Sequence, residues 1–106
     1  MREYFVYILR CSDDSYYTGV TSNLPERFSQ HQDGWDPKSY THDRRPVALE
    51  YSVDFDDVYD AIAWEKRIKR WSRKKKEALI AREYEKLIPL SKRKNVQRKL
   101  GLIDQV

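Results

Sequence analysis

Two short apolar runs, Phe5-Val6-Tyr7-Ile8-Leu9 and Tyr16-Tyr17-Thr18-Gly19-Val20, decide how this chain begins to fold. The stretch between them, Ser12-Asp13-Asp14-Ser15, consists of residue types that favour tight turns. Apolar runs joined in this way predict a β-hairpin. Because side chains alternate across a strand, Tyr7 and Tyr17 can both place their phenols on one face of the resulting small sheet.

Capping signals beyond the hairpin predict three helices and a further strand. Strands are expected over about 4–10, 15–21 and 47–54. Asn23, with Glu26 three residues later, forms a capping-box pattern that begins the first helix, and Gly34 can end it in a left-handed conformation. A second helix is expected from Asp56-Asp57 to about Trp71, and a third from Ser72 to about Glu83.

Length and composition limit the class of protein. The chain has 106 residues, the size of one domain with one modest core. Pro89 marks a break, so we expect a domain over residues 1–88 and a basic C-terminal tail over residues 89–106. Mean hydropathy is −0.91, and no apolar run approaches the roughly 18 residues of a membrane span. With one cysteine, Cys11, and no signal-peptide pattern, we expect a soluble cytoplasmic protein without an internal disulfide.

Charge is distributed unevenly along the chain. The formal net charge is +4, but residues 1–65 carry −7 and residues 66–106 carry +11. Within the segment 66–76, eight of eleven residues are Lys or Arg and none is acidic. Such a run favours a polyanionic partner, with nucleic acid preferred over an anionic membrane because the segment lacks a broad apolar face. The alternative is a solvated helix face.

The order of several polar residues makes the sequence resemble the GIY-YIG nuclease family, in particular its small single-domain bacterial members and the N-terminal nuclease domain of excinuclease. The two name-giving motifs correspond to Phe5-Val6-Tyr7 and Tyr17-Thr18-Gly19, and Arg27, His31 and Glu65 follow in the family's order. The resemblance covers roughly residues 3 to 83. It implies an α/β domain of the α+β type, with a three-stranded, mostly antiparallel sheet flanked by helices.

The resemblance also implies a function, the metal-dependent hydrolysis of phosphodiester bonds in DNA during repair or processing. Glu65 matches the family's metal ligand, for one Mg²⁺ or Mn²⁺ ion. Arg27 carries a planar charged fork that suits phosphate oxygens, and would stabilise the charge on the phosphate. Tyr7 is the candidate general base, with His31 or the metal lowering its pKa from about 10, and Tyr17 would position the water or the phosphate.

Other interpretations of the same residues remain open. Glu65 lies on the apolar stripe of the second helix, where a carboxylate needs a bound cation or an ion pair with Arg27 or Lys69. The family pattern includes an asparagine downstream of the glutamate, whereas the asparagines of this chain are Asn23 and Asn95. The alternative function is therefore a nucleic-acid-binding module of the same fold that cleaves weakly or not at all.

The residues expected to contact nucleic acid lie in the loop after the first helix and in the basic segment 66–76. They are Lys38, Tyr40, Lys66, Lys69, Arg70, Arg73, Lys74, Lys75 and Lys76. The expected partner is DNA, contacted through its backbone and shape rather than its base sequence. The sequence leaves open which DNA structure or RNA is the substrate, and whether the protein is a monomer or a weak dimer.

Overall fold

The computed structural model describes residues 3–83 and residue 87. Three strands and three helices follow one another in the predicted order: β1 (Tyr4–Arg10), β2 (Tyr16–Thr21), α1 (Leu24–Asp33), β3 (Ala48–Phe55), α2 (Val58–Lys69) and α3 (Arg73–Ile80), with a short 3₁₀ turn at His42–Arg44. The strands form one sheet in the order β2-β1-β3, and both neighbouring pairs are antiparallel. The predicted α+β fold with its three-stranded antiparallel sheet is confirmed.

The register of the hairpin places the two tyrosines on one face of the sheet. Tyr7 lies opposite Gly19, and Leu9 lies opposite Tyr17; residues two apart on a strand, and residues directly opposite each other, share a face. Asp13 stabilises the turn, because its carboxylate accepts hydrogen bonds from the backbone and hydroxyl of the serine two residues later, at 3.1 and 2.6 Å. A local turn therefore sets the register that brings the phenols together.

Helix α1 begins and ends at the predicted caps. The Asn23 side chain accepts a hydrogen bond from the backbone N–H of Glu26 at 3.2 Å and donates one to its carboxylate at 3.0 Å. Gly34 follows the helix with φ = 66°, in the left-handed region. In the last turn, Gln32 uses both ends of its amide to bond the backbone of Val47 at 2.7 and 2.8 Å. These two bonds tie α1 to the residue that precedes β3.

Helices α2 and α3 are shorter than the sequence predicted. Helix α2 ends at Lys69 rather than near Trp71, because Ser72 already has an extended backbone as the N-cap of α3. Helix α3 ends at Ile80, because the turn that follows it closes through a left-handed residue, Arg82, with φ = 60°. Both boundaries are set by backbone conformations that helical periodicity does not reveal.

The chain divides into two compact units, residues 1–70 and residues 71–106. The first unit holds the sheet, α1 and α2, and the second holds α3. The predicted boundary at residues 88–89 and the basic tail over 89–106 lie outside the described residues, so both stay predictions. No helix in the described part of the chain is long and apolar enough to cross a membrane.

The core of the first unit is built around β1. On the face used by Tyr7, the buried residues Tyr7, Leu9, Cys11 and Val47 form a cluster against which Tyr17, Leu24 and Phe28 pack. The buried side chains of α2 are Ala61, Trp64, Glu65 and Ile68. The apolar stripe predicted for α2 therefore corresponds to its buried side, and that side includes the carboxylate of Glu65.

Candidate active site

A tyrosine that crosses a glycine defines one side of the candidate site. Tyr7 is 1% exposed, and its ring passes over Gly19 of the neighbouring strand. A Cβ atom at position 19 would lie 2.5 Å from the Tyr7 hydroxyl oxygen and 2.6 Å from the ring carbon that carries it. Only glycine leaves room for the phenol at this point. The Tyr17 ring lies beside it, with the two ring centroids 6.3 Å apart.

We expect Gly19→Ala to lower the free energy of unfolding by about 1–3 kcal/mol, the usual cost of overpacking a filled site. The added methyl group would displace the Tyr7 phenol from its position over β2. Urea unfolding measures the loss. In a Tyr7→Ala background the same substitution should cost much less, because the space is then open. An equal cost in both backgrounds would show that the methyl group acts on β2 alone.

A buried chain of hydrogen bonds links Tyr7 to α1 and to the loop that follows α1. The Tyr7 hydroxyl lies 2.9 Å from Nε2 of His31, and Nδ1 of His31 lies 2.7 Å from Oγ1 of Thr41. That threonine oxygen lies 3.1 Å from Oγ of Ser39. His31 and Thr41 are almost completely buried. Both imidazole nitrogens therefore have a partner, and these partners fix the orientation of the ring.

Burial keeps His31 neutral. Burial and, second to it, the charge of the Arg27 guanidinium lower the pKa of His31 from 6.5 to about 4. A neutral imidazole carries one N–H donor and one acceptor nitrogen. In the tautomer protonated at Nδ1, His31 donates to Thr41, and its Nε2 accepts from the Tyr7 hydroxyl. In that state Nε2 is positioned to take the phenolic proton.

The lowered pKa of His31 predicts that acid destabilises the protein through this residue. The unfolded chain binds the imidazole proton below about pH 6.5, whereas the folded chain binds it only below about pH 4. The stability that neutral His31 contributes is therefore complete above pH 6.5 and is lost as the pH falls towards 4, up to roughly 3 kcal/mol.

Urea unfolding of the wild type and of His31→Gln between pH 4 and 7 measures this effect, which the variant should lack. His42→Gln is the matched control, because it removes the other histidine of the chain and should keep the wild-type loss. The same pH dependence in His31→Gln and in the wild type would contradict the assignment.

The pKa of Tyr7 is raised to about 12, first by burial, then by the neighbouring Tyr17 and to a smaller extent by Glu65. The Arg27 guanidinium lowers it, but by less. The sequence-based expectation that His31 would help to lower the pKa of Tyr7 is therefore wrong, because removal of water from the phenolate outweighs the nearby positive charge. At neutral pH the phenol keeps its proton, so Tyr7 can act as a base only if its own proton moves on.

Arg27 lies one helical turn before His31 on α1, so the two side chains project from the same side of the helix. Its Nη1 donates a hydrogen bond to Oε1 of Gln30 at 2.9 Å, and its charge affects the pKa of both Tyr7 and His31. Arg27 is only partly buried. A guanidinium in this place has the charge and the planar set of donors that phosphate oxygens require.

Glu65 is a buried carboxylate with an ion-pair partner. It is 7% exposed, and its Oε2 lies 2.6 Å from Nζ of Lys69, four residues further along α2. Of the two ion pairs considered from the sequence, the one with Lys69 is therefore present. Glu65 also contributes to the raised pKa of Tyr7, so the two groups lie within electrostatic reach. Ring contacts, hydrogen bonds and charge thus connect the five predicted site residues, Tyr7, Tyr17, Arg27, His31 and Glu65.

Side chains from the loop after α1 cover Tyr17. Tyr40 stacks on Tyr17 with ring centroids 6.1 Å apart, and the guanidinium carbon of Arg44 lies 3.9 Å from the Tyr40 centroid. Arg44 also donates a hydrogen bond to Asp13 at 3.1 Å, which ties the loop to the hairpin turn. Tyr40 and Lys38, the two loop residues expected to contact nucleic acid, are both exposed.

Comparisons with known proteins support this arrangement. The family of the GIY-YIG catalytic domain matches residues 3–78. The chain belongs to the GIY-YIG family. A UPF0213 protein of Halobacterium salinarum is 44% identical over 75 residues, which cover 71% of this chain and 96% of that protein. The UPF0213 protein YsiG of Lactococcus lactis is 42% identical over 105 residues, which cover 93% of this chain and 100% of that protein.

Two solved structures share the GIY-YIG fold of this chain. The solution NMR structure of a UPF0213 protein from Bacillus halodurans is 38% identical, with a TM-score of 0.50, and the match covers 74% of this chain and 83% of that one. A protein from E. faecalis, also solved by NMR, is 29% identical with a TM-score of 0.54, covering 86% and 91% of the two chains. Membership of the family places this chain among nuclease domains.

GIY-YIG nucleases generally use divalent metal ions, and the donor set of this chain fits such an ion in one way. Among residues 3–83 and 87, no three His, Cys, Asp or Glu side chains lie together as a metal-binding group. Mg²⁺, however, usually keeps several waters and binds through one or two carboxylates together with substrate phosphates. The buried Glu65 carboxylate provides an oxygen ligand of that kind, so a hard divalent ion completed by water and phosphate fits.

Thr41 is the site residue that the sequence did not reveal. It belongs to the loop between α1 and β3, where neither helical nor strand periodicity marks a side chain as buried. Its contact with His31 depends on how the loop folds back over α1, and no signal in a single sequence reports that. Gln30 could have been found, because it lies three residues after Arg27, at a spacing where helical side chains meet.

The basic segment 66–76 of this GIY-YIG protein is not one uniform solvated face. Lys66, Arg70 and Lys74 are exposed. Four others interact within the chain or are partly buried: Lys69 pairs with Glu65, Arg73 pairs with Glu77, Lys75 lies over the Trp71 ring, and partial burial lowers the pKa of Lys76. Contact of this segment with nucleic acid stays a prediction, for which the exposed positions are best placed.

Proposed function

We propose that the protein is an endonuclease that hydrolyses phosphodiester bonds in DNA with one Mg²⁺ or Mn²⁺ ion, in DNA repair or processing. The observation that carries this proposal is the buried hydrogen-bond chain from Tyr7 through His31 to Thr41, beside Arg27 and within electrostatic reach of Glu65. Each buried polar group has a desolvation cost, and a fold has no need to bring such groups together. Their clustering, with two strongly shifted pKa values, is typical of a catalytic site.

The reaction requires positive charge around the phosphate. A phosphodiester carries one negative charge and gains more in the transition state. Arg27 supplies a permanent charge and several N–H donors for the non-bridging oxygens. Glu65 holds the divalent ion, which when bound supplies Lewis-acid stabilisation of the phosphate and of the leaving 3′-oxygen. Tyr17, next to Tyr7, positions the water or the phosphate.

The proton of the attacking water leaves through Tyr7. Because the pKa of Tyr7 is about 12, the phenol is protonated at neutral pH and cannot act as a resting phenolate. As the phenolic oxygen accepts the proton of the water, the phenol's own proton moves along the 2.9 Å hydrogen bond to Nε2 of His31. The water oxygen forms the new bond to phosphorus while the bond to the leaving oxygen breaks. His31, with its low pKa, then gives up the proton readily.

A panel of labelled nucleic acids tests this function. Duplex, branched, flapped and single-stranded DNA, together with RNA, are incubated with the protein in Mg²⁺, Mn²⁺ or EDTA. We expect products from at least one DNA in the presence of metal and none in EDTA. Binding of DNA without products from any substrate, with either metal, would contradict the nuclease and support a binding module.

A nucleic-acid-binding module without cleavage is the second candidate, and one observation favours it. The ion pair with Lys69, at 2.6 Å, compensates the Glu65 carboxylate without a metal ion. The exposed Lys66, Arg70 and Lys74 supply charge for phosphate contacts. The panel separates the two candidates when binding and cleavage are measured on the same DNA.

A further inference from the structure

The ion pair between Lys69 and Glu65 has one buried and one exposed partner. Nζ of Lys69 lies 2.6 Å from Oε2 of Glu65, and the two residues are one turn apart on α2. The Glu65 side chain is 9% exposed, whereas that of Lys69 is 53% exposed. The carboxylate is therefore held by the protein interior, while the ammonium group reaches it from the solvent side.

This geometry affects any cation that binds Glu65. A buried carboxylate needs a compensating charge, and the Lys69 ammonium provides it. A divalent ion on the same carboxylate would lie within a few ångströms of that ammonium, where like charges repel strongly. The ammonium and the divalent ion therefore compete for Glu65.

We propose that Lys69 is a resident counter-ion, which occupies Glu65 in the metal-free protein and swings away when a divalent ion binds. The proposal rests on the proposed function, in which Glu65 is the metal ligand. The movement is easy because the Lys69 side chain is more than half exposed and has a flexible stem. Lys69 is thus a positioning residue: it keeps the buried carboxylate ionised and sets the concentration at which metal loads. Once released, its ammonium lies near the ion, where DNA phosphates complete the coordination.

Competition lowers the apparent metal affinity by the fraction of time for which the carboxylate is free. An ion pair formed for about 70–90% of the time leaves Glu65 free for about 10–30%, which weakens metal binding by about three- to tenfold. Removal of the ammonium should restore that factor. A purely structural ion pair, one that merely stabilised α2, would not change metal affinity in this direction.

Calorimetric titration with Mn²⁺ alone, in the absence of nucleic acid, tests the proposal on the full chain. Lys69→Met removes the charge and keeps the apolar stem. Lys66→Met is the matched control, because it removes the same charge from an exposed position on the same helix. We expect Lys69→Met to bind Mn²⁺ about three- to tenfold more tightly than Lys66→Met. Lys66→Met should stay within about twofold of the wild type, since salt screens exposed charges. Circular dichroism establishes that both variants fold.

Equal affinities of the two lysine variants, or weaker binding by Lys69→Met, would overturn the counter-ion role. Glu65→Gln separates that failure from a failure of the proposed function. If Glu65→Gln loses Mn²⁺ binding while the lysine variants are equal, Glu65 is the metal ligand and only the role of Lys69 is wrong. If Glu65→Gln binds Mn²⁺ as the wild type does, or the wild type binds none, the metal site and the counter-ion role are both wrong.

Discussion

Glu65→Gln is expected to abolish metal-dependent cleavage of DNA, with a loss of at least about a thousandfold, while DNA affinity stays within about twofold. The substitution keeps the size of the side chain and removes the charge that would hold the divalent ion. It leaves every basic residue in place. Lys69 is released from its pair with Glu65, so a small change in DNA affinity should be towards tighter binding.

Single-turnover cleavage in Mn²⁺ and fluorescence anisotropy in EDTA measure the rate and the affinity of Glu65→Gln separately. Glu77→Gln is the matched control, because Glu77 also forms an ion pair four residues apart, with Arg73 at 3.1 Å, but is 48% exposed. Cleavage by Glu77→Gln should stay within about twofold of the wild type. Cleavage by Glu65→Gln within about tenfold of the wild-type rate would rule out Glu65 as the metal ligand.

Tyr7→Phe is expected to slow cleavage by about 10²- to 10⁴-fold, because it removes the hydroxyl that receives and passes on the proton of the water. The ring can still pack across Gly19, so the fold should be retained. The free energy of unfolding should fall by about 1–3 kcal/mol, since Nε2 of His31 loses the partner that lies 2.9 Å away. Single-turnover cleavage and urea unfolding measure the two effects.

Tyr59→Phe is the control for this substitution, because Tyr59 lies on α2 and is 79% exposed. It should change neither the rate nor the stability. The pH profile adds an independent test: the wild-type rate should show no step from Tyr7 or His31 between pH 6 and 8, since their pKa values are about 12 and about 4. A Tyr7→Phe rate within about tenfold of the wild type would place the general base elsewhere.

The secondary structure could be predicted where its signals are local. The Asn23–Glu26 capping box and the left-handed Gly34 form as expected, because each involves residues at most three apart or a single backbone conformation. The ends of α2 and α3 were predicted too late, because Ser72 and Arg82 terminate them through backbone conformations that apolar periodicity does not report.

The candidate site could be predicted in its membership but not in its chemistry. The four-residue spacing of Arg27 and His31 put both on one helix side, and the stripe of α2 placed Glu65 on its buried side. Whether Glu65 was paired, and with which residue, depended on where two long side chains meet, and the sequence left Arg27 and Lys69 as alternatives. The structure shows the pair with Lys69.

By itself, the sequence determined the hairpin, the caps and the shared face of Tyr7 and Tyr17, because turns, caps and side-chain alternation act over a few neighbouring residues. Only the tertiary structure decided that His31 bonds Thr41 from a loop, that Gly19 leaves room for the Tyr7 ring, and that the pKa of Tyr7 rises. The physical reason is that a pKa measures the balance between lost hydration and nearby charge. Tyr7 is buried by groups from several elements, and Arg27 offsets that burial only in part. That balance exists only once segments distant in the chain have packed together.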